Sequence, residues 1–132
     1  MYTQKYVFDC ILSQIGGAEN LTAVGVEADS IRPVTEYRHD YGGYEIHGLV
    51  FTTMDGKEVK ILLELSDTYT LYVNGKEVKD YLYFFDLCSE VEQAIGARMP
   101  YYVLAKLEEQ EQDDTFVFTT SWVRCQNPFF VG

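Results

Sequence analysis

Positive charge is what this chain has least of. Ten Lys and Arg stand against 21 Asp and Glu, a formal net charge of −11. Such a surface repels phosphate backbones, which reward Lys and Arg, and it is disfavoured at anionic membranes. Direct nucleic-acid binding and membrane binding are therefore not expected. Cysteine is scarce as well: Cys10, Cys88 and Cys125 are odd in number and far apart. That spacing offers no disulfide framework and no metal-ligand pattern. Cys10 and Cys88 lie among apolar residues, where a free cysteine behaves as a small buried hydrophobe. A reducing, cytoplasmic setting is the simplest context. No stretch of about 20 apolar residues is present to cross a bilayer. In residues 1–17, Asp9 and Gln14 interrupt the apolar run that a secretory signal would need.

Motifs for chemistry are equally sparse. Gly16-Gly17 and Tyr41-Gly42-Gly43-Tyr44 lack the lysine and the long glycine spacing of a phosphate loop. Cys88 falls on the apolar stripe of an expected helix, the wrong surroundings for a thiolate. Ser121 lies in an expected strand without a nucleophile elbow. Only Arg38-His39-Asp40 with His47 resembles a reactive cluster. Its spacing matches no zinc pattern, and His47 shares a strand face with Leu49 and Phe51, where a hydrogen-bonded structural histidine is the commoner outcome. The expectation is a protein that is not an enzyme, with no cofactor and no metal. The alternative is a small-ligand-binding or enzymatic domain with its site in the irregular 36–47 loop.

What the chain does have is aromatic and β-branched residues. An apolar share of 47% with 11 Tyr and eight Phe rules out disorder. A length of 132 residues suits one domain, 1–132, large enough to bury a core. Residues 44–79 alternate apolar runs with turn residues. Asn74-Gly75, between Tyr69–Val73 and Lys76-Glu77-Val78, predicts a hairpin whose type I′ turn needs φ > 0 at both central positions. Met54-Asp55-Gly56 and Ser66-Asp67 predict two further reversals. Between them Val59, Ile61, Leu63 and Leu65 point to a core, while Glu58, Lys60 and Glu64 point to water.

The flanks complete an α+β reading in the order α-β-β-β-β-β-α-β-β. Thr3 to Ile15 predicts a helix with Phe8, Ile11, Leu12 and Ile15 on one stripe, capped by Thr3 and ended by Gly16-Gly17. Leu21 to Ala28 alternates like a strand, and Arg32-Pro33 reads as extended. Asp80 is placed as the cap of a second helix at about 80–96, with Phe84, Cys88, Val91 and Ile95 inward and Gly96 at its end. Tyr101–Glu108 and Thr115–Arg124 predict a last hairpin, followed by Asn127-Pro128-Phe129-Phe130-Val131. The result is an antiparallel sheet, a meander plus a C-terminal hairpin, with both helices packed on it.

The acidity is concentrated toward the end. Residues 80–132 hold nine acids and three bases. Glu108, Glu109, Glu111, Asp113 and Asp114 crowd the link EEQEQDD, which is expected at the hairpin tip. Asp86 and Glu90 are expected on an outward helix face with no lysine to pair them. Carboxylates spaced along a rigid scaffold imitate the phosphates of a nucleic acid and fit a cationic groove. These seven residues are accordingly the candidate partner-binding set, and the partner is a basic, nucleic-acid-binding protein. The competing reading is that the charge only prevents aggregation. In size, acidity and aromatic richness the chain resembles small inhibitors carried by phages and mobile elements: anti-restriction, anti-CRISPR and toxin-immunity proteins. The likeness is one of composition, carried by no particular segment. It implies a protein that blocks a basic surface.

Overall fold

A computed structural model describes residues 2–130; within it, the side chains of Glu108, Gln110, Gln112 and residues 116–120 lie outside the described residues. Helix α1 (Gln4–Gln14) starts where the Thr3 hydroxyl accepts a hydrogen bond from the Tyr6 amide at 3.1 Å. It stops at Gly16 and Gly17, both at positive φ. The buried stripe is Val7, Ile11, Gln14 and Ile15, with Phe8 and Leu12 only half-covered. It is rotated slightly from the expected one.

The next segment departs from expectation. Residues 21–28 do not form a strand. Ala18–Thr22 make a short helix, α2, and of this segment only Val26 forms a β-bridge, to Thr53. Five residues are too few for the 3.6-residue period to show, and the polar–apolar alternation around Val24 and Val26 imitates a strand. The first strand comes later, at β1 (Arg32–Arg38): it starts at the extended Arg32-Pro33, and its last three residues fall in what reads as the irregular 36–47 loop. The true loop is residues 39–43, where Tyr41 adopts φ 52°. β1 runs into β2 (Tyr44–Thr52), β3 (Glu58–Leu63), β4 (Tyr69–Val73) and β5 (Lys76–Leu82), each paired antiparallel with its predecessor in one five-stranded meander.

The three predicted reversals are all present. Asn74 and Gly75 have φ of 52° and 80°, the left-handed pair that a type I′ turn demands. Leu65 is a correction: β3 ends at Leu63, so Leu65 sits in the following turn and is exposed.

One hydrophobic cluster holds the body together. Val7 and Ile11 of α1 and Ile15 at its C-cap meet Leu49 and Phe51 of β2, Val59 and Ile61 of β3, and Tyr69 and Leu71 of β4. Leu87, Cys88 and Val91 close it from helix α3 (Leu87–Ile95). That helix begins later than expected, because Asp80 lies in β5 and Tyr81, at φ 53°, cannot enter a right-handed turn. Phe84–Asp86 form a 3-10 turn before it, and Gly96 ends it in the left-handed conformation, as anticipated.

Among the described residues no helix covers the opposite sheet face, yet Leu62, Val50 and Ile46 are buried on it. Charged side chains cover them. Glu36 bridges Lys60 and also approaches Arg38 at 3.8 Å, while Arg38 donates to Glu64 at 2.9 Å and to the Tyr72 hydroxyl at 3.2 Å. Lys60 lies 4.7 Å from the Tyr72 ring centroid. The face expected in water is thus roofed by the alkyl stems of paired ions. Burial opposes the charge on Arg38, but Glu64 and Tyr72 hold its pKa above the ordinary value. At Gly48, which pairs with Leu62, an added Cβ would stand 1.9 Å from the Ile61 carbonyl oxygen, so only glycine lets these strands approach.

Candidate functional site

β6 (Tyr101–Gln112) and β7 (Thr115–Gln126) form a separate two-stranded ribbon. Its root is fixed by Asn20, which is fully buried. The Asn20 amide donates to the Ile15 and Tyr101 carbonyls at 2.9 Å, and its oxygen accepts from the Tyr101 amide at 2.9 Å. Arg124 reaches the Gly16 carbonyl at 3.3 Å and lies 4.7 Å from the Tyr101 ring centroid. Trp122 meets Phe84 edge-on at 5.0 Å. Residues 127–129 are tied in beside the root. Asn127 donates from its backbone to Pro100 and from its side chain to Met99, and Arg98 lies over Phe129 at 5.1 Å. Phe129 otherwise stays exposed, and Val131 lies outside the described residues.

Beyond Val103 the ribbon leaves the body. Leu104 and Leu107 are 51% and 65% exposed, against 8% for Val103. The ten residue steps from Val103 to Asp113 span on the order of 30 Å at ~3.3 Å per residue.

The seven candidate acids therefore do not form one patch. The link expected to be a loop is mostly strand: Glu108, Glu109 and Glu111 belong to β6, and only Asp113-Asp114 make the turn. Glu109, Glu111, Asp113 and Asp114 are exposed, and no ion pair with another described residue reaches them. The side chain of Glu108 lies outside the described residues. Asp86 and Glu90 sit at the other end of the ribbon, beside its root. Glu90 has a lysine after all: Lys79 approaches to 3.8 Å, and the Glu90 side chain is only 15% exposed. Its neighbour Glu92 accepts from the Met99 amide at 2.7 Å and closes the connection after α3. The outward acidic face of that helix is thus largely engaged within the body, because β5 brings Lys79 alongside.

At the turn, Asp113 and Asp114 have φ of 50° and 63°. Aspartate tolerates the left-handed region better than most residues, but glycine and asparagine are the favoured occupants of such a turn. Two adjacent carboxylates add mutual repulsion.

The histidines do not converge. The His47 ring meets the Thr35 hydroxyl at 2.8 Å, and Thr35 in turn accepts from Gln4 at 2.7 Å, so His47 pins α1 to the sheet. His39 is exposed and packs edge-on against Tyr37, with centroids 4.8 Å apart. The cavity of about 310 Å³ beside His47 is lined by Glu45, Leu63 and Glu64 among others, and His39 is not part of it. No cluster of three or more His, Cys, Asp or Glu suited to a metal ion occurs among the described residues. Burial pushes the Cys88 thiol up to about 11. No helix among the described residues is long and apolar enough to cross a membrane.

Asn20 and the ionic roof were not readable as functional or structural residues in advance. Asn20 acts across 81 positions of sequence and Arg38 across 26 to Glu64, separations at which no local pattern exists. Searches against protein-family models, characterised proteins and solved structures find no match to this chain.

Proposed function

We propose that the chain is a non-enzymatic acidic binding protein whose ribbon presents carboxylates to a basic, nucleic-acid-binding surface of a partner protein, as an inhibitor of the phage or mobile-element anti-defence or immunity type. The observation that carries this reading is the tip turn. Asp113 and Asp114 are both left-handed and adjacent, with no ion pair to another described residue, at the far end of a ribbon that also exposes Glu109 and Glu111. Neither stability nor solubility calls for two aspartates there. A glycine would relieve the backbone, and the remaining acids already supply a large net charge. Residues that break local rules without a structural return mark places selected for something else.

Exposed charge pairs contribute individually about 0.2–1 kcal/mol. Five of them on one ribbon supply a few kcal/mol, about one to two decades of affinity. Surface charges are screened beyond about 8 Å at physiological ionic strength, so the contribution falls as salt rises. The test immobilises the wild-type chain and a variant with Glu108, Glu109, Glu111, Asp113 and Asp114 changed to Gln or Asn, then passes a lysate of the source cell over both. Basic proteins retained by the wild type alone and released by salt are the expected result. Their affinities for the two chains should differ by about 10- to 100-fold at low salt and converge at high salt. Equal retention across the salt series sinks the reading.

A further inference from the structure

A cleft of about 490 Å³ opens at the root of the ribbon, between the N-terminal end of α1 and the turn joining β3 to β4. Aromatic rings line two sides of it. Tyr2 and Tyr6 stack with centroids 5.2 Å apart, and Phe84 meets Trp122 at 5.0 Å. Gln14 and Tyr69, both buried, lie deeper. Gln14 Oε1 is buried and has no hydrogen-bond partner among the described residues. An unanswered buried carbonyl is destabilising and marks a place where a donor is missing. Asp67 also lines the cleft, and no lysine, arginine or histidine does.

Three demands follow from these groups. The occupant must offer N–H to Gln14 Oε1, present flat faces to the rings, and carry positive charge toward Asp67. Carboxylates and phosphates fail the last demand. A neutral ring leaves Asp67 unanswered. An ammonium group lacks the planar face. A guanidinium meets all three, being planar, permanently charged and rich in donors, with a strong tendency to stack on aromatic faces. We propose that this cleft receives an arginine side chain of the protein partner. The identity of the partner as a basic protein rests on the reading above, but the cleft chemistry is testable without it.

Trp122 is the only tryptophan, so its fluorescence reports on the cleft directly. The probe is a capped Ala-Arg-Ala tripeptide amide, titrated alongside its citrulline and lysine counterparts and agmatine. Citrulline keeps the shape of arginine and removes the charge. A saturable Trp122 response is expected, with arginine about tenfold tighter than citrulline or lysine. Asp67→Asn suits the left-handed backbone at that position (φ 61°) and removes the charge; it should weaken arginine binding about tenfold and bring arginine and citrulline together. Gln14→Leu should weaken it severalfold, and where that variant fails to fold, Asp67→Asn decides alone.

The proposal is overturned by no saturable response to the arginine tripeptide, by citrulline binding as tightly as arginine, or by an unchanged affinity in Asp67→Asn. Binding of agmatine without the tripeptide would give the cleft to a free guanidinium compound and overturn the partner assignment. The ribbon-neutralised chain should keep the tripeptide response, which separates failure of the cleft from failure of the acidic tip.

Discussion

Two hairpin turns of one geometry sit in this chain and are filled differently. Asn74-Gly75 and Asp113-Asp114 both place two successive residues at left-handed φ. The first uses the residues that this turn favours, and it is tied down further. The Asn74 amide donates to the Glu58 carbonyl at 2.8 Å, and its side-chain oxygen accepts from the Glu58 amide at 2.9 Å. The second uses two carboxylates in mutual repulsion at the end of a free ribbon. A two-stranded ribbon is marginal in water by itself, and three or more strands with a buried face are usually needed. The body has that face and the ribbon does not. The stable turn therefore stands where pairing within the meander already secures the strands, and the unfavourable one where little else does. A turn selected for stability would have the opposite distribution.

The sharpest way to break this contrast is at the ribbon's root. Asn20→Ala removes the three hydrogen bonds of a fully buried side chain, two of which hold Tyr101. Buried partners left unsatisfied make this about a 2–4 kcal/mol loss of stability in urea unfolding. Amide exchange should rise first across Tyr101–Leu104 and their β7 partners, while β2 to β4 stay protected. Uniform loss of protection would mean that ribbon and body are a single cooperative unit.

The same contrast explains what was legible in the sequence. Asn74-Gly75, the meander around it and the helix capped by Thr3 are readable because each signal lies within a few residues. Residues 21–28 are misread because alternation carries no record of chain direction, and Gly25, at φ 89°, turns the chain where a strand would run straight. The length of the ribbon is missed because Glu and Gln are poor strand formers, so residues 108–112 resemble loop until pairing with β7 extends them. The seven acids can be named from the sequence, but their arrangement cannot. Nothing local says that Lys79 will stand beside Glu90, or that Asp86 lies by the ribbon's root while Asp113 lies at its tip.

Raising the pH tests the body alone. Burial pushes Tyr69 up to about 12 and Cys88 up to about 11, from ordinary values of 10.0 and 9.0. Raised values mean that folding favours the protonated forms. The stabilisation is complete below about pH 9, begins to fall as the unfolded chain ionises, and is lost as pH passes 11 for Cys88 and 12 for Tyr69. Stability to urea should be nearly flat to about pH 9 and lower by about 3–4 kcal/mol near pH 11. Tyr69→Phe should remove the later part of the decline. A wild-type curve that stays flat to pH 11 would mean that neither group is as shielded as its surroundings imply.

The smallest effect carries the most information about selection. Exchanging the two turns, Asp113-Asp114→Asn-Gly in one variant and Asn74-Gly75→Asp-Asp in another, keeps the backbone geometry and moves only the side chains. At the tip, relief of the left-handed strain should stabilise the ribbon by about 1 kcal/mol, read as slower amide exchange near the turn. In the meander the reverse exchange should cost about 1–2 kcal/mol, because it also removes the side-chain amide that holds Glu58. Partner affinity should follow the opposite pattern. It should drop severalfold when the tip loses its carboxylates, although the protein is now more stable, and it should hold when the meander turn is changed. Stability and binding moving in opposite directions at one site, and only there, would show that Asp113 and Asp114 are kept for what they meet. A tip exchange that stabilises the chain and leaves affinity untouched would return these aspartates to ordinary solvated surface, and the arginine cleft at the ribbon's root would then be the stronger candidate for partner contact.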